Sequence, residues 1–146
     1  MWNPPDREVF FATVWKITRQ IPEGHVMSYG QIAAMIPPPG DTTPDAYNRL
    51  GSRWVGQAMN NTPSGQGIPW QRVINSKGGI SLPAGSSAAE QQRQLLQAEG
   101  IEFSEKGLID FNTYGWDGPD AAWLKANDLY PPPSMKSDDP QQLNLF

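Results

Sequence analysis

The fold of this chain is decided by the stretch Arg53-Trp54-Val55-Gly56-Gln57-Ala58-Met59-Asn60. At the spacing of an α-helix, Val55, Ala58 and Met59 fall on one side, and the polar side chains fall toward the other. Gly56 and Ala58 are small, so a helix of this composition lets another surface approach its backbone closely. The stretch therefore predicts an amphipathic helix with one face in the core and the other directed at a partner.

Helical elements are also predicted on the N-terminal side of this stretch. Apolar residues at helical spacing indicate a helix from about residue 6 to residue 19. A short extended piece at Val26-Met27 is followed by Ser28-Tyr29-Gly30-Gln31, which has the form of a capping box, and the helix it opens ends before three prolines. From Ala46 the pattern predicts two helical pieces that divide near Gly51.

Two β-hairpins and one helix are predicted on the C-terminal side. The first hairpin is a wing formed by residues 68–74, a turn at 75–79 and a strand at 80–82. Ser87 and Glu90 have the spacing of a second capping box, and Gly100 ends the helix that they open. The second hairpin pairs residues 101–103 with residues 108–111.

The order of these elements predicts a mainly α-helical fold with a small β component, a helix-turn-helix with a wing. A chain of 146 residues has the size of one ordinary domain. We expect a DNA-binding domain over residues 1–117, an extension over 118–130, and a flexible Pro-rich tail over 131–146.

The composition excludes several classes of function. The chain has no cysteine, which excludes disulfides, thiolate metal sites and a cysteine nucleophile. It has one histidine, so zinc sites built from several histidines are excluded as well. We expect no metal, no cofactor and no catalytic residue. No apolar run approaches the roughly 18–20 residues of a membrane span, and the N-terminus lacks the form of a signal peptide, so we expect a cytoplasmic protein.

The charge is unevenly distributed along the chain. The formal net charge is −4, but residues 46–101 hold five basic and two acidic residues. The middle of the chain is therefore a basic island between acidic flanks. Such an island is a modest footprint for contacts to nucleic-acid phosphates.

The segment Ile68-Pro69-Trp70-Gln71-Arg72-Val73-Ile74 resembles the active-site segment of O6-alkylguanine-DNA alkyltransferases, Pro-Cys-His-Arg-Val. Trp70 stands where that family has its alkyl-accepting cysteine, which is the mark of the alkyltransferase-like proteins. Val26-Met27-Ser28-Tyr29-Gly30 and the stretch that begins at Arg53 resemble further motifs of the family. The resemblance spans roughly residues 8–117. It implies the winged-helix fold of the alkyltransferase C-terminal domain.

The resemblance implies a monomeric, non-enzymatic protein that binds O6-alkylguanine in duplex DNA and flips the base. It would flag the lesion for nucleotide excision repair proteins. By resemblance Arg53 is the finger inserted into the base stack, Tyr29 helps to rotate the nucleotide, and Trp70 is an aromatic wall. The residues that it assigns to DNA or the lesion are Tyr29, Arg53, Trp54, Gly56, Gln57, Asn60, Pro69, Trp70, Val73 and Ser86.

Each assigned role has a structural alternative. Arg53 can be a surface residue paired with Asp45, while Tyr29 and Trp70 can be ordinary core residues. Gln71 replaces the family's histidine, so the relay that activates the cysteine has neither base nor nucleophile. Glu99, which matches the glutamate of that relay, is then expected to be a cap or a partner of Arg72.

A separate motif lies at Gln142-Leu143-Asn144-Leu145-Phe146, which resembles the pentapeptide that binds the bacterial sliding clamp. Leu143, Leu145 and Phe146 supply apolar anchors, and Gln142 supplies an amide that can fix the register in a groove. The resemblance implies a bacterial, nucleoid-associated protein with the clamp as a partner.

Three other functions remain open on the sequence. A winged-helix transcription factor would have the same helix order, but would leave the segment around Trp70 unexplained. A transferase with another nucleophile would need an activating base beside Ser76, Ser81 or Tyr29. The third is a protein-interaction domain with an inactive site.

Overall fold

Helices and one short sheet are the regular elements of residues 4–137, the part of the chain that the computed structural model describes. The helices are α1 (Arg7–Thr18), α2 (Tyr29–Met35), α3 (Pro44–Asn60), α4 (Ser87–Ala98), α5 (Phe111–Tyr114) and α6 (Ala121–Ala126). The strands are β1 (Met27–Ser28) and β2 (Val73–Ile74), and a single 3₁₀ turn, Trp70–Arg72, precedes β2. The prediction of a mainly helical fold with a small β component is confirmed.

The two strands are parallel and join distant parts of the chain. Met27 is paired with Val73, and Ser28 with Ile74. The side chain of Gln92 on α4 donates a hydrogen bond of 3.1 Å to the carbonyl of Val73. Because β1 leads directly into α2 and β2 follows directly from the 3₁₀ turn, this pairing fixes the start of α2 relative to the Trp70 segment.

A capping box opens α2, as the sequence predicts. The Ser28 hydroxyl accepts a hydrogen bond of 3.0 Å from the Gln31 backbone, and the Gln31 side chain accepts one of 2.9 Å from the Ser28 backbone. Each residue thereby satisfies a backbone N–H that the helix itself leaves without a partner. The Gln31 amide also donates to the carbonyl of Pro133 at 2.9 Å, so α2 is tied to the C-terminal segment.

The prediction of two helical pieces divided near Gly51 is wrong, because α3 is continuous over 17 residues. A Cβ at Gly51 would lie 3.1 Å from the Cβ of Ala33 and 3.1 Å from the Tyr47 ring. Glycine thus leaves room for the close approach of α2 and for the Tyr47 ring of α3. It does not interrupt the helix, since the tertiary contact outweighs its poor helical propensity.

Trp54 belongs to the core, so the prediction that it contacts DNA is corrected. Its side chain is 2% exposed. Its ring lies 6.0 Å from that of Phe10 at 81°, and 6.0 Å from that of Tyr47. Edge-to-face and tilted arrangements of this kind stabilise aromatic clusters. Trp54 therefore anchors α3 to α1 and leaves its neighbour Arg53 to face outward.

Neither predicted β-hairpin forms within the described residues. β2 pairs with β1, and residues 80–82 are not a strand. The turn at 75–79 is held by the Asn75 side chain, which accepts hydrogen bonds of 3.0 Å from the backbone of Lys77 and of Gly79. The second hairpin reduces to a turn in which the backbone of Ser104 donates to that of Leu108 at 2.8 Å. The turns lie where the sequence indicates them, but the strand partners are set by distant segments.

The termini of α4 differ slightly from the prediction. Ser86, and not Ser87, is the N-cap, and its hydroxyl accepts a hydrogen bond of 3.1 Å from the Ala89 backbone. The predicted capping box of Ser87 and Glu90 is therefore wrong, because Ala89, three residues after the true N-cap, has no side-chain acceptor for a reciprocal bond. Gly100 follows the helix with φ +90°, a conformation that favours glycine, so its predicted role at the helix end is confirmed.

Residues 131–137 pack on the domain, so the predicted flexible tail is wrong for this part. Met135 packs against a second apolar cluster that includes Val26 and Leu96, and the backbone of Ser137 donates to the Asn112 side chain at 2.8 Å. The motif at 142–146 lies outside the described residues. No helix of the described part is long and apolar enough to cross a membrane.

Trp54→Ala should lower the free energy of unfolding by about 3–5 kcal/mol, because it removes a buried aromatic side chain and leaves a cavity. Arg53→Ala on the same helix is the matched control and should change it by about 0.5 kcal/mol or less. Urea denaturation of both variants measures the difference. Similar stabilities for the two variants would contradict the placement of Trp54 in the core.

Candidate nucleic-acid interface

The outward face of α3 carries four of the residues that the sequence assigned to DNA. Arg53 and Asn60 are exposed, while Gly56 and Gln57 are half-buried. A Cβ at Gly56 would meet nothing within 4 Å, so the backbone at this position is open to an approaching surface. This is the arrangement expected of a helix that lies close to a partner.

Arg53 is not paired with Asp45. Among residues 4–137 the ion pairs are Arg72–Glu99 and Lys136–Asp117, and Arg53 belongs to neither. Asp45 lies in the first turn of α3, where a carboxylate is favoured by the helix dipole. The guanidinium of Arg53 therefore remains available to a ligand.

A cavity of about 360 Å³ lies between the end of α3 and the 3₁₀ turn. Its lining residues are Met59, Thr62, Pro63, Ser64, Gly65, Gly67, Ile68 and Trp70. The loop that forms it is held by the residue that follows α1, Arg19, whose side chain donates a hydrogen bond of 3.1 Å to the Gln66 side chain. Met59 and Ile68 supply apolar surface, and the half-buried Trp70 supplies an aromatic wall.

The sequence indicates Trp70 as a residue of this cavity but does not indicate the loop that faces it. Positive φ angles of +79° at Gly65 and +69° at Gly67 shape that loop. Glycines in this conformation mark a turn, but they do not reveal that the turn encloses a cavity. Pro69 is half-buried beside Trp70. Tyr29 and Ser86 do not line the cavity.

Tyr29 stands at the start of α2 and is half-buried. Burial raises the pKa of Tyr29, and a hydrogen bond with the Ser81 side chain offsets part of that rise. The phenol therefore keeps its proton at neutral pH and can act as a hydrogen-bond donor. In the sequence Ser81 was considered only as an alternative nucleophile. In the structure its side chain lies beside the Tyr29 hydroxyl.

Two of the other assigned residues have different surroundings from those expected. Val73 is fully buried in β2, so its assignment to the lesion site is corrected: its side chain has no surface to offer a ligand. The hydroxyl of Ser86 is engaged as the cap of α4. Both residues were placed by sequence position, which does not reveal the direction of a side chain.

Glu99 is held by three donors, which confirms it as a partner of Arg72. Its carboxylate accepts hydrogen bonds from Arg72 at 3.0 Å, from Gln71 at 2.8 Å and from the Gly24 backbone at 2.9 Å. Burial alone raises the pKa of Glu99, but the hydrogen bonds from Arg72, Gly24 and Gln71, together with the charge of Arg72, outweigh it and hold the pKa below its ordinary value.

This network holds several segments of the chain together. Arg72 also donates to the Ile21 carbonyl at 2.8 Å, so the guanidinium ties the 3₁₀ turn to the segment that follows α1. Gln71 contributes an amide, which cannot take up a proton at neutral pH. No group of three or more metal-ligating side chains occurs within residues 4–137.

The chain belongs to the family of the 6-O-methylguanine DNA methyltransferase DNA-binding domain, whose model matches residues 9–101. Within this family it is an alkyltransferase-like protein, with Trp70 at the position of the acceptor cysteine. Because the chain contains no cysteine at all, transfer of an alkyl group to a protein cysteine has no acceptor here.

Its relatives include proteins named for base flipping. It is 43% identical to the DNA base-flipping protein of Vibrio parahaemolyticus, over 73% of this chain and 95% of the relative. It is 38% identical to the protein of that name from Escherichia coli, over 74% of each chain. A crystal structure of the Schizosaccharomyces pombe alkyltransferase-like protein 1 in complex with damaged DNA containing O6-carboxymethylguanine matches with a TM-score of 0.57 and 30% identity, over 75% of this chain and 95% of that chain.

Glu99→Gln should lower the free energy of unfolding by about 1–3 kcal/mol at neutral pH, because the hydrogen bonds of Arg72 lose their charged acceptor. A carboxylate whose pKa is lowered in the folded state stabilises the fold above its ordinary pKa, and this stabilisation is lost as the pH falls through the lowered value.

The difference between the parent and Glu99→Gln should therefore narrow as the pH is lowered from about 7 to about 3. Urea denaturation at several pH values measures this difference in the free energy of unfolding. Glu105→Gln, at an exposed position, is the matched control. A difference that stayed constant with pH would show that the charge of Glu99 contributes nothing.

Proposed function

We propose that this protein binds duplex DNA that contains O6-alkylguanine, rotates the modified base out of the stack and holds it without removing the alkyl group. The observation that carries the proposal is the cavity beside Trp70, which opens at the end of the helix that carries the available Arg53. The names of the relatives, DNA base-flipping protein and alkyltransferase-like protein 1, support it.

Rotating a base out of a duplex costs a few kcal/mol, and the gap left behind must be filled. Arg53 is suited to this because a guanidinium is planar, stacks on bases and donates several hydrogen bonds at once. The open backbone at Gly56, three residues further along α3, lets the helix approach the sugar-phosphate chain. The protonated hydroxyl of Tyr29 is a donor for the rotated nucleotide.

Trp70 determines the fate of the lesion once the base is held. In place of a thiol it presents an indole ring, which contacts an alkyl group but forms no bond with it. The apolar side chains of Met59 and Ile68 complete an environment for alkyl groups. Gln71 and Arg72 donate hydrogen bonds to the carboxylate of Glu99, so this carboxylate is engaged and is not a free base for a reaction beside Trp70. The expected outcome is a bound and unrepaired lesion.

Arg53→Ala should weaken binding to a duplex with one O6-methylguanine by at least about tenfold, because the gap left by the base is no longer filled. Fluorescence anisotropy measures this, with an alkyl-labelled guanine in a parallel sample to detect transfer to protein. Arg7→Ala, which removes an arginine stacked 4.7 Å from the Phe11 ring, is the matched control.

The parent should form the complex and acquire no label. Equal affinities of the parent and Arg53→Ala for the lesion would refute the flipping model. Equal affinity of the parent for damaged and undamaged DNA would favour a regulator without lesion specificity.

A protein that binds a lesion without repairing it needs a second system to complete the repair. By resemblance to the family, we propose that this system is nucleotide excision repair. The absence of any cysteine in the chain supports a flagging role over a repair role.

The motif at 142–146 supports a second partner, the bacterial sliding clamp, and with it a location at the nucleoid. Its apolar anchors and the amide of Gln142 match a peptide that binds in a groove. The backbone of Ser137 is hydrogen-bonded to Asn112, so residues 131–137 are docked on the domain. Residues 138–141 separate this docked segment from the motif. They span at most about 14 Å, which would hold a bound clamp close to the domain.

Truncation after Pro140 should abolish binding to purified clamp while leaving lesion binding unchanged, because the domain and its docked segment are intact. Isothermal titration calorimetry measures binding to the clamp, and fluorescence anisotropy measures binding to the lesion. Leu145→Ala with Phe146→Ala in the full chain tests the anchors directly. Comparable heats from the full and truncated chains would refute the clamp proposal.

A further inference from the structure

A second cavity, of about 440 Å³, lies at the loop of residues 80–86 and is rich in cations. Three basic side chains and one carboxylate line it, namely Lys77, Arg93, Lys106 and Glu90. Its remaining lining residues are small, apolar or amide-bearing: Asn75, Gly79, Ile80, Leu82, Ala84, Gly85, Ala89, Gly107 and Leu108. None of these residues was assigned to a site above.

The three cations are not neutralised by ion pairs of the described part of the chain. The ion pairs found there involve Arg72 and Lys136, not these residues. The carboxylate of Glu90 accepts a hydrogen bond of 3.4 Å from its neighbour Gln94. The cavity therefore keeps an excess of positive charge that a ligand can use.

Arg93 is held in position within this cavity. Its guanidinium lies 4.5 Å from the centre of the Phe103 ring, a cation–π contact that fixes the plane of the group. A Cβ at Gly107 would lie 3.4 Å from Nη2 of Arg93, so the guanidinium reaches the backbone next to Lys106. An oriented arginine beside a lysine is the arrangement that binds a phosphate group.

The same loop connects this cavity to Tyr29, which the proposed function places at the rotated nucleotide. Ser81 lies close enough to Tyr29 to lower the pKa of the phenol, and Ala84, three residues later, lines the cavity. Three residues span at most about 11 Å. The phosphates of one DNA strand succeed each other every 3.4 Å or so along the helix axis. A duplex engaged at Tyr29 therefore brings several phosphates within reach of the cavity.

We propose that the cavity lined by Lys77, Arg93 and Lys106 binds a backbone phosphate of the DNA that flanks the lesion. This inference rests on the proposed function, since it places the duplex at Tyr29. It also accounts for the excess of basic residues in the middle of an acidic chain. Arg72 is neutralised by its ion pair with Glu99, whereas Lys77 and Arg93 can bind DNA. The contact is independent of base sequence and of the lesion.

The experiment measures the affinities of Arg93→Gln, Lys106→Gln and the double variant for lesion-containing and undamaged duplexes over a series of salt concentrations. Each single variant should bind both DNAs about threefold more weakly, and in the double variant, which loses the one phosphate contact, the slope of log affinity against log salt should fall by about 1. The ratio of lesion to undamaged affinity should stay that of the parent.

Lys125→Gln on α6 is the matched control for the loss of one positive charge. Thermal unfolding checks the fold of Arg93→Gln, which loses the Phe103 contact, while Lys106→Gln removes an exposed side chain. Duplexes with single neutral methylphosphonates identify the phosphate: at one position the parent should lose affinity and the double variant should not.

An affinity and a salt slope of the double variant equal to those of Lys125→Gln would overturn the proposal. So would variants that weaken binding of inorganic phosphate but not of DNA. If the parent shows no preference for the lesion, the proposed function fails, and the salt slopes on undamaged DNA still decide whether the cavity holds a phosphate.

Discussion

The two-residue parallel pairing of β1 with β2 is the contact on which the rest of the structure depends. A pair this short is not stable by itself, so its surroundings must supply the missing interactions. Gln92 bonds the Val73 carbonyl, and Val26 exchanges backbone hydrogen bonds of 2.9 Å with Tyr114 and Trp116. α4 and the segment around α5 thus meet at the point where the start of α2 is joined to the Trp70 turn.

The Arg72–Glu99 ion pair lies beside this strand pairing. Arg72 and Glu99 lie next to β2 and connect it to the end of α1 and to Gly24. Removing either partner would leave a charge in a largely enclosed place, which costs more than the pair itself contributes. The ion pair therefore stabilises the junction between these segments, and Trp70 stands at the position of the acceptor cysteine.

The basic residues of the chain divide into those that stabilise the fold and those that are available to bind a ligand. The chain is acidic overall, and its acidic residues lie mostly outside residues 46–101. Within that range Arg72 is used internally, whereas Arg53 faces outward from α3 and Arg93 faces a cavity. A local excess of positive charge suffices to attract DNA, since charges farther away than about 8–10 Å are screened at physiological salt.

Local signals in the sequence determined a large part of this protein. The capping box at Ser28, the helix end at Gly100 and the two-sided pattern of α3 depend on neighbours within one or two turns, so they are readable from the residues alone. The replacement of cysteine by Trp70, and with it the loss of transferase chemistry, is likewise a property of the sequence.

Only the tertiary structure decided which side chains of the recognised motifs face outward. Trp54 and Val73 lie within motifs that match the family, but both are directed into the core, because α1 and β1 pack against them. The predicted wing hairpin does not form because β2 pairs with β1, which lies almost fifty residues earlier in the chain. The cavity at Trp70 and the basic cavity at Arg93 are each built from separate segments, and the distances between such segments are set by packing, not by the sequence near either one.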